Sequence, residues 1–499
     1  MSEDNSKNLE DKLKDRSKKI TNINEVVEVL HWDQEVMMPE GGIEARKQQL
    51  STLSGLRHEL IVSEELETIL ENINVDELDQ KGKSNYREIK RMHDRSKRID
   101  QELIEELSSQ SSQTLDKWKK ARKEDNFDIV KDELKELIRL KREYANQVNP
   151  DKEPYKVLFN DYEPYIEFET MHEIMTSLRD NLTEIFSSIK EGDKDIENVF
   201  EKEVSKDKQK ELNEEVLDSL GYDRKRGRLD TSEHPFTTGN QFDARITTRF
   251  SDEDLSKSLF PTIHEFGHAL YEQGLPKEHY GLPSGTSRDL SIHESQSRLW
   301  ENHVGRSKSF WSYMTPKLTQ LKDFSDVSSN ELWLSANRVK KENLIRVEAD
   351  EITYHLHIYL RYEIERKLIN GEIEVEELPE VWNEAMNQYL DLTPEEEVEG
   401  VLQDIHWYQG SIGYFTTYSL GSVIAAQIYN AAEKDIVELD QKIEQGEFEE
   451  LREWLKENVH AHGCIYKTEK LVKKATGEEL DVKHFLRYIK DKYSEIYDF

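Results

Sequence analysis

Apolar residues recur at spacings of three and four along the first half of the chain, and this spacing constrains the fold more than any other feature. It is clear in NINEVVEVLHWDQEVM, residues 22–37, and in IVKDELKELIRLKREYANQV, residues 129–148. Such spacing lines up apolar side chains on one face of an α-helix, with Glu and Lys on the other. Turn-forming residues are scarce, with 21 Gly and 11 Pro among 499 residues. The sequence therefore predicts a mainly α-helical fold, with charged amphipathic helices over residues 1 to about 225.

One segment departs from this pattern: HPFTTGNQFDARITTRF, residues 234–250. Pro, Gly and four Thr replace the Glu and Lys found elsewhere, and residues that favour strands cluster. This predicts a small β element over about residues 236–250, either a short hairpin or an edge strand. Helices resume from residue 251, and no Pro/Ser-rich linker marks a domain boundary. We expect a single domain over residues 1–499, with one helical part to about residue 225 and a second over about 226–499.

The charge of the chain excludes several classes of partner. The formal net charge is −35, so phosphate backbones and anionic lipid surfaces are repelled, and we expect neither nucleic acid nor membrane partners. Adaptation to concentrated salt is an alternative reason for this acidity. A lone cysteine, Cys464, cannot form an internal disulfide, and the polar N-terminus has no apolar core of a signal peptide. These features favour a soluble cytoplasmic protein.

The pentad HEFGH suggests a metal site. His264 and His268 lie four residues apart, so on a helix both rings can face one ion, with Glu265 beside them. A hydrolytic zinc site has three protein ligands and leaves one position for water, whose proton Glu265 would accept. The positions where HExxHxxGxxH proteases carry Gly and His hold Tyr271 and Gly274, which excludes that class. Two histidines meeting by chance on a helix face are the alternative, so a third ligand is needed.

The segment DLSIHESQSRLWENH, residues 289–303, offers that ligand on a second predicted helix. Glu294 is the first candidate, and His293 and Glu301 compete with it. His293 and Glu294 point about 100° apart on a helix, and spacing gives no way to choose between them.

Six short motifs occur in a fixed order along the chain. They are HPF (234–236), DARIT (243–247), HEFGH (264–268), HESQ (293–296), IRVEAD (345–350) and GVLQDIHW (400–407). In this order they resemble the carboxypeptidase Taq family of metal-dependent carboxypeptidases, a helical group of cytoplasmic enzymes. HWDQEVMMPEGG, residues 31–42, is similar to the opening helix of that family, so the resemblance spans nearly the whole chain.

The resemblance implies one large helical peptidase fold with a deep substrate groove and with the β element beside the metal-binding helix. It also implies that Glu294, rather than His293, is the third ligand. One Zn²⁺ per subunit is expected, with Co²⁺ or Mn²⁺ as possible substitutes. The expected substrates are peptides with a free C-terminus, and the expected assembly is a homodimer.

A carboxypeptidase must bind the terminal carboxylate of its substrate, and a guanidinium matches that group well. Arg346 in IRVEAD is the candidate. The alternative is a structural ion pair between Arg346 and Asp350, four residues further along a helix.

The oxyanion that develops during amide hydrolysis needs a hydrogen-bond donor. By resemblance to related helical zinc peptidases, His406 and Tyr418 are expected near the scissile carbonyl. Tyr408 and Tyr414 compete with Tyr418, and Tyr414 is also expected to bind substrate. The alternative is that these tyrosines are interior or groove-wall aromatics.

His234, Asp243 and Arg245 flank the predicted strand and are expected to line the substrate groove, because an edge strand can pair with an extended peptide. The alternative is that Asp243 and Arg245 hold the loop together by pairing with each other.

Taken together, these features predict a zinc-dependent metallocarboxypeptidase that releases single residues of broad type from peptide C-termini. A related helical zinc endopeptidase or dipeptidase, which would lack the carboxylate clamp, is the first alternative. A catalytically silent helical interaction protein is the second.

Overall fold

The computed structural model describes residues 3–499 and is mainly α-helical, as predicted. The helices are Glu3–Val36 (α1), Ile43–Ile61 (α2), Glu64–Asn72 (α3), Gln80–Lys97 (α4), Gln101–Glu124 (α5), Lys131–Val148 (α6), Pro154–Tyr162 (α7), Phe168–Glu191 (α8), Lys206–Leu220 (α9), Ser256–Gly274 (α10), Leu290–Arg298 (α11), Lys308–Leu318 (α12), Ser329–Ala336 (α13), Thr353–Asn370 (α14), Leu378–Leu390 (α15), Thr416–Asp435 (α16), Leu439–Glu444 (α17), Glu449–Asn458 (α18), Thr468–Thr476 (α19) and Lys483–Tyr497 (α20). Among the helices of this described part, none combines the length and apolar character that a membrane crossing requires.

The amphipathic segments of the first half of the chain form helices, as their spacing predicts. In α6, Leu134, Leu137, Ile138, Ala145 and Val148 are all buried, and their spacing of three, four or seven residues puts them on one face. This face joins an apolar core that runs from α5 to α20. Helices α1, α3 and α4 share a second, smaller apolar cluster of their own.

A three-stranded sheet forms where the β element is predicted. Its strands are Leu229–Thr231 (β1), Thr237–Gly239 (β2) and Ala244–Thr248 (β3), in the order β1-β3-β2. The strands β2 and β3 form an antiparallel hairpin, and β1 pairs with β3 in parallel. The sequence did not predict β1, because three residues among charged neighbours leave no alternating pattern. The sheet packs against α10, so it lies beside the helix that carries the pentad.

Candidate metal centre

The pentad lies in the middle of α10, where His264 and His268 face the same side with ring centroids 5.0 Å apart. Between them, Gly267 allows a close approach to α11. A Cβ atom at that position would lie 2.5 Å from the carbonyl oxygen of Gln296 and 2.6 Å from the Cα atom of Ser297. The glycine inside the pentad therefore sets the short distance between the two helices.

Helix α11 brings Glu294 to the two rings. Its Oε2 atom lies 3.6 Å from Nε2 of His264 and 3.4 Å from Nε2 of His268. One ligand atom from each of the three residues lies within 4.8 Å of the others. Gly421 in α16 makes room for this carboxylate, because a Cβ atom there would lie 2.5 Å from Cγ of Glu294. The structure thus brings together three side chains that could hold a metal ion.

His293, which competes with Glu294 as the candidate third ligand, directs its Nε2 atom at Glu272. Its Nε2 atom lies 2.9 Å from Oε1 of Glu272, and its ring stacks on that of His268 at 4.5 Å. The structure therefore brings the carboxylate of Glu294, rather than a ring nitrogen of His293, to the Nε2 atoms of the two pentad histidines.

The charges at this centre suit a divalent cation. Burial acts to raise the pKa of Glu294, but the charge of Arg298, whose Nε donates to it at 2.6 Å, holds that pKa below its usual range. Burial and the neighbouring His293 lower the pKa of His268 to about 3. An ionised carboxylate and a neutral imidazole are the forms that bind metals, so Glu294 and His268 fit the ion that the pentad implies. Burial acts to lower the pKa of His264, but the charges of Glu294 and Glu301 raise it, so an ion bound there would displace a proton from this ring.

Glu301, the other competitor, occupies the far side of His264. It lies in a π-helical segment, Leu299–Val304, that continues α11. Its Oε2 atom is 2.8 Å from Nδ1 of His264, and its Oε1 atom accepts a hydrogen bond of 3.1 Å from Arg306. A carboxylate on the second nitrogen of a ligand histidine fixes the ring and raises its basicity. Among the described residues, Nδ1 of His268 has no such partner.

Glu265 is buried and held by the sheet. The hydroxyl of Thr237 in β2 donates to its Oε2 atom at 2.6 Å, and burial raises the pKa of the carboxyl group. A carboxylate with a raised pKa is a stronger base. The role of Thr237 could not be read from sequence, because its strand is 28 residues away from Glu265 and carries no periodic signal.

Arg346 lies in a short 3₁₀ turn and pairs with Asp404 rather than with Asp350. Its Nη2 atom donates to Oδ1 of Asp404 at 2.6 Å, while Arg361 donates to Oδ2 at 2.6 Å. The carboxylate of Asp350 instead accepts from the backbone at the start of α14. The guanidinium of Arg346 also lies over the ring of Tyr418, 5.5 Å from its centroid.

The three tyrosines have different surroundings. Tyr418 and Tyr414 are half-buried beside His406, with the Tyr418 hydroxyl 3.4 Å from Nε2 of His406 and the Tyr414 ring 5.5 Å from the imidazole. Tyr408 is fully buried, stacks on Trp118 and donates its hydroxyl to the carbonyl of Val401 at 2.9 Å. The structure thus brings Tyr414 and Tyr418, but not Tyr408, to His406.

This aromatic group adjoins the metal centre through Tyr354. The guanidinium of Arg298 lies 4.6 Å from the centroid of the Tyr354 ring, and the ring of Tyr418 lies 6.1 Å from it. Arg298 also binds Glu294, so a continuous set of contacts joins the three candidate ligands to His406.

The residues predicted at the strand are less closely gathered. Asp243 and Arg245 pair with each other at 2.6 Å, as the alternative for this loop requires, and Arg245 stacks over Trp32 at 4.3 Å. His234 is exposed, and its carbonyl accepts a hydrogen bond from Ser232.

Comparison with known proteins identifies close relatives. The family model described as carboxypeptidase Taq (M32) metallopeptidase matches residues 12–493. Carboxypeptidase 1 of Bacillus subtilis (strain 168) is 35% identical over 489 residues, which are 97% of each chain. Thermostable carboxypeptidase 1 of Pyrococcus furiosus is 38% identical over 478 residues, covering 93% of this chain and 94% of its own.

Solved structures agree with the fold. The M32 carboxypeptidase from Deinococcus radiodurans R1 has a TM-score of 0.95 at 31% identity, covering 99% of this chain and 100% of its own. The structure of Pyrococcus furiosus carboxypeptidase Apo-Mg has a TM-score of 0.94 at 35% identity, and the match covers 99% of both chains.

Proposed function

The chain belongs to the carboxypeptidase Taq family and is a metallocarboxypeptidase acting on peptides, and from this premise we propose that it releases single residues of broad type from peptide C-termini at a zinc centre. The proposed ligands are His264, His268 and Glu294, with Glu265 as general base. The observation that supports this most is the convergence of the three ligand atoms within 4.8 Å, next to a buried carboxylate.

The donor set of two imidazoles and one carboxylate suits Zn²⁺, one per subunit, with Co²⁺ or Mn²⁺ as substitutes. When bound, the ion polarises the scissile carbonyl and lowers the pKa of water.

The residues around the ion carry the proton transfers. Glu265 accepts a proton from the attacking water and later passes it to the leaving amine. The hydrogen bond from Thr237 fixes one oxygen of this carboxylate, so the other oxygen is the one that takes the proton. Tyr418 and His406 stabilise the developing oxyanion as hydrogen-bond donors. Burial raises the pKa of Tyr418 and lowers that of His406 to about 4, so the phenol keeps its proton and the imidazole is neutral.

Arg346 is proposed to bind the terminal carboxylate of the substrate. A guanidinium has five N–H donors. In Arg346 the Nε and Nη2 atoms each donate to Asp404 and the Nη1 atom donates to the hydroxyl of Tyr354, so three donors are used and two remain. Asp404 therefore orients the guanidinium without exhausting it.

The strand β2, at the edge of the sheet, is proposed to pair with the extended substrate. His234, Asp243, Arg245 and Tyr414 then line the groove along the peptide. The homodimer and the cytoplasmic location expected from the resemblance are part of the same proposal.

The test compares one hexapeptide with its C-terminal amide, using protein whose metal content has been measured. The acid should give a ladder of products shortened one residue at a time, and the amide should react at least about 100-fold more slowly, because the charged contact with Arg346 is lost. Equal rates on the two peptides would favour the endopeptidase alternative. No shortening of the acid by metal-loaded protein would contradict the exopeptidase proposal.

A further inference from the structure

A cavity lies away from the metal centre, between α4, α7 and the loop that joins α6 to α7. Its volume is about 500 Å³. None of the described residues that line it is a proposed metal ligand or substrate-binding residue. The cavity therefore needs an explanation of its own.

The cavity is strongly basic although the chain is strongly acidic. Eight of its lining residues are Lys or Arg and one, Asp94, is acidic, whereas the whole chain has a net charge of −35. Four of the eight are matched by carboxylates: Arg87 by Glu88, Lys90 by Asp94, Arg95 by Asp161 and Lys156 by Glu169. Subtracting four carboxylates from eight cations leaves four positive charges. Like charges held together repel one another, so such a cluster is stabilised by a bound anion.

The four remaining cations are Lys83, Arg91, Arg98 and Lys152, and none of them forms an ion pair with another described residue. The two arginines are preoriented by carbonyl groups near helix ends: Arg91 donates to that of Asn160, and Arg98 to that of Val148 at 3.0 Å. Each guanidinium keeps further N–H donors for a ligand. The two lysines are exposed at the rim.

The rest of the lining is mostly apolar, apart from Asn149 and Asn160. Val75, Val148 and Val157 contribute aliphatic surface, and Tyr86 contributes an aromatic ring whose hydroxyl is fixed by donating to the carbonyl of Leu70 at 3.2 Å. A cavity of this volume accepts a small organic molecule. The lining thus combines a surface for a flat ring with a cluster of phosphate-binding side chains.

We propose that this cavity binds a small organic phosphate of nucleotide size. Its phosphate contacts Arg91 and Arg98, with Lys83 and Lys152 at the rim, and its ring packs on Tyr86. Guanidinium groups bind phosphate oxygens in pairs, which favours phosphate over a simple halide.

The test is calorimetric titration of the full-length, metal-loaded protein with adenosine monophosphate, inorganic phosphate and adenosine, each at about 0.1 M salt. Adenosine monophosphate should bind one per chain and more tightly than either half alone. The variant Lys83→Gln/Lys152→Gln should weaken it about ten-fold, or about 1.4 kcal/mol. The matched control Lys225→Gln/Lys322→Gln removes two exposed lysines elsewhere and should leave affinity unchanged.

Several results would overturn the proposal. Equal affinity of both double variants would place the ligand elsewhere, including at the metal centre. Inorganic phosphate binding as tightly as the nucleotide would remove the role of Tyr86, and adenosine binding as tightly would remove that of the cations. Tighter binding of tetraglutamate, lost in the Lys83/Lys152 variant, would make the site one for acidic peptides.

Discussion

The metal centre and the Arg346 cluster, which consists of Arg346, Arg361 and Asp404, are both buried and charged. Their charged groups are arranged differently. At the metal centre, Glu294 and the two pentad histidines direct ligand atoms at a common point. In the other cluster, Asp404 is saturated by Arg346 and Arg361, which donate to its two oxygens. The first arrangement leaves a place for the proposed cation. In the second, the two arginines neutralise the carboxylate of Asp404, and two N–H donors of Arg346 remain for the proposed substrate. The difference is that the ligand atoms of the metal centre converge on one point, whereas the carboxylate of Asp404 orients a guanidinium whose remaining donors are free for the proposed substrate.

The largest expected effect distinguishes the roles of two carboxylates at the metal centre, Glu265 and Glu294. Glu265→Gln should lower kcat by about 10³- to 10⁴-fold, because the base is lost, while the protein still binds one metal ion per chain. Glu294→Ala should abolish both activity and stoichiometric metal binding, because a ligand is lost. Metal analysis and peptide kinetics on the same samples distinguish the two variants. A Glu294→Ala protein that retains its metal would contradict the proposed ligand set.

The next effect concerns stability rather than chemistry. Asp404→Asn should destabilise the protein by about 3–5 kcal/mol, because it leaves two buried guanidinium groups without a counter-charge. Arg361 is fully buried and cannot turn to solvent. The shift in the denaturant midpoint measures this loss.

Asp391→Asn is the matched control for that change. Asp391 pairs with Lys190 on the surface and has a left-handed backbone that asparagine also adopts. Its replacement should leave the midpoint unchanged. An equally small shift of the denaturant midpoint for Asp404→Asn would mean that Asp404 is not the counter-charge of Arg346 and Arg361.

These two regions also differ in how far sequence could predict them. The meeting of His264 and His268 follows from helical periodicity, and Glu294 was supported by resemblance. The pairing of Arg346 with Asp404 joins residues 58 positions apart, which no periodicity encodes, and sequence favoured Asp350 as the structural partner instead. Asp404 lies inside the motif GVLQDIHW, so the motif was a signal for its importance but not for its partner.

The sequence carries a partial signal for the basic cavity. Lys83, Arg87, Lys90 and Arg91 follow one another along α4 with spacings that include three and four residues, and Arg98 comes directly after its end. Sequence alone could not show that α7 faces this helix and encloses a cavity, because that depends on tertiary packing.

A smaller effect tests which tyrosine assists the reaction. Tyr418→Phe should lower kcat about 100-fold with little change in KM, because it removes a donor to the oxyanion. Tyr408→Phe should leave kcat unchanged and reduce stability by about 1 kcal/mol, because that hydroxyl bonds only within the core. Steady-state kinetics and denaturation of both variants give the comparison. The opposite pattern would assign the catalytic phenol to Tyr408.

The smallest effect tests whether a residue that contacts a proposed ligand, rather than the ion itself, contributes to metal affinity. Glu301→Gln should weaken metal affinity by about 10- to 100-fold, because the amide oxygen still accepts from Nδ1 of His264 but no longer carries a negative charge. Glu272→Gln is a matched control, since Glu272 contacts His293 at 2.9 Å, close to the 2.8 Å between Glu301 and His264. Competition with a metal chelator measures both affinities. Equal losses in the two variants would mean that general acidity near the site, rather than the contact with a ligand histidine, determines how tightly the ion is held.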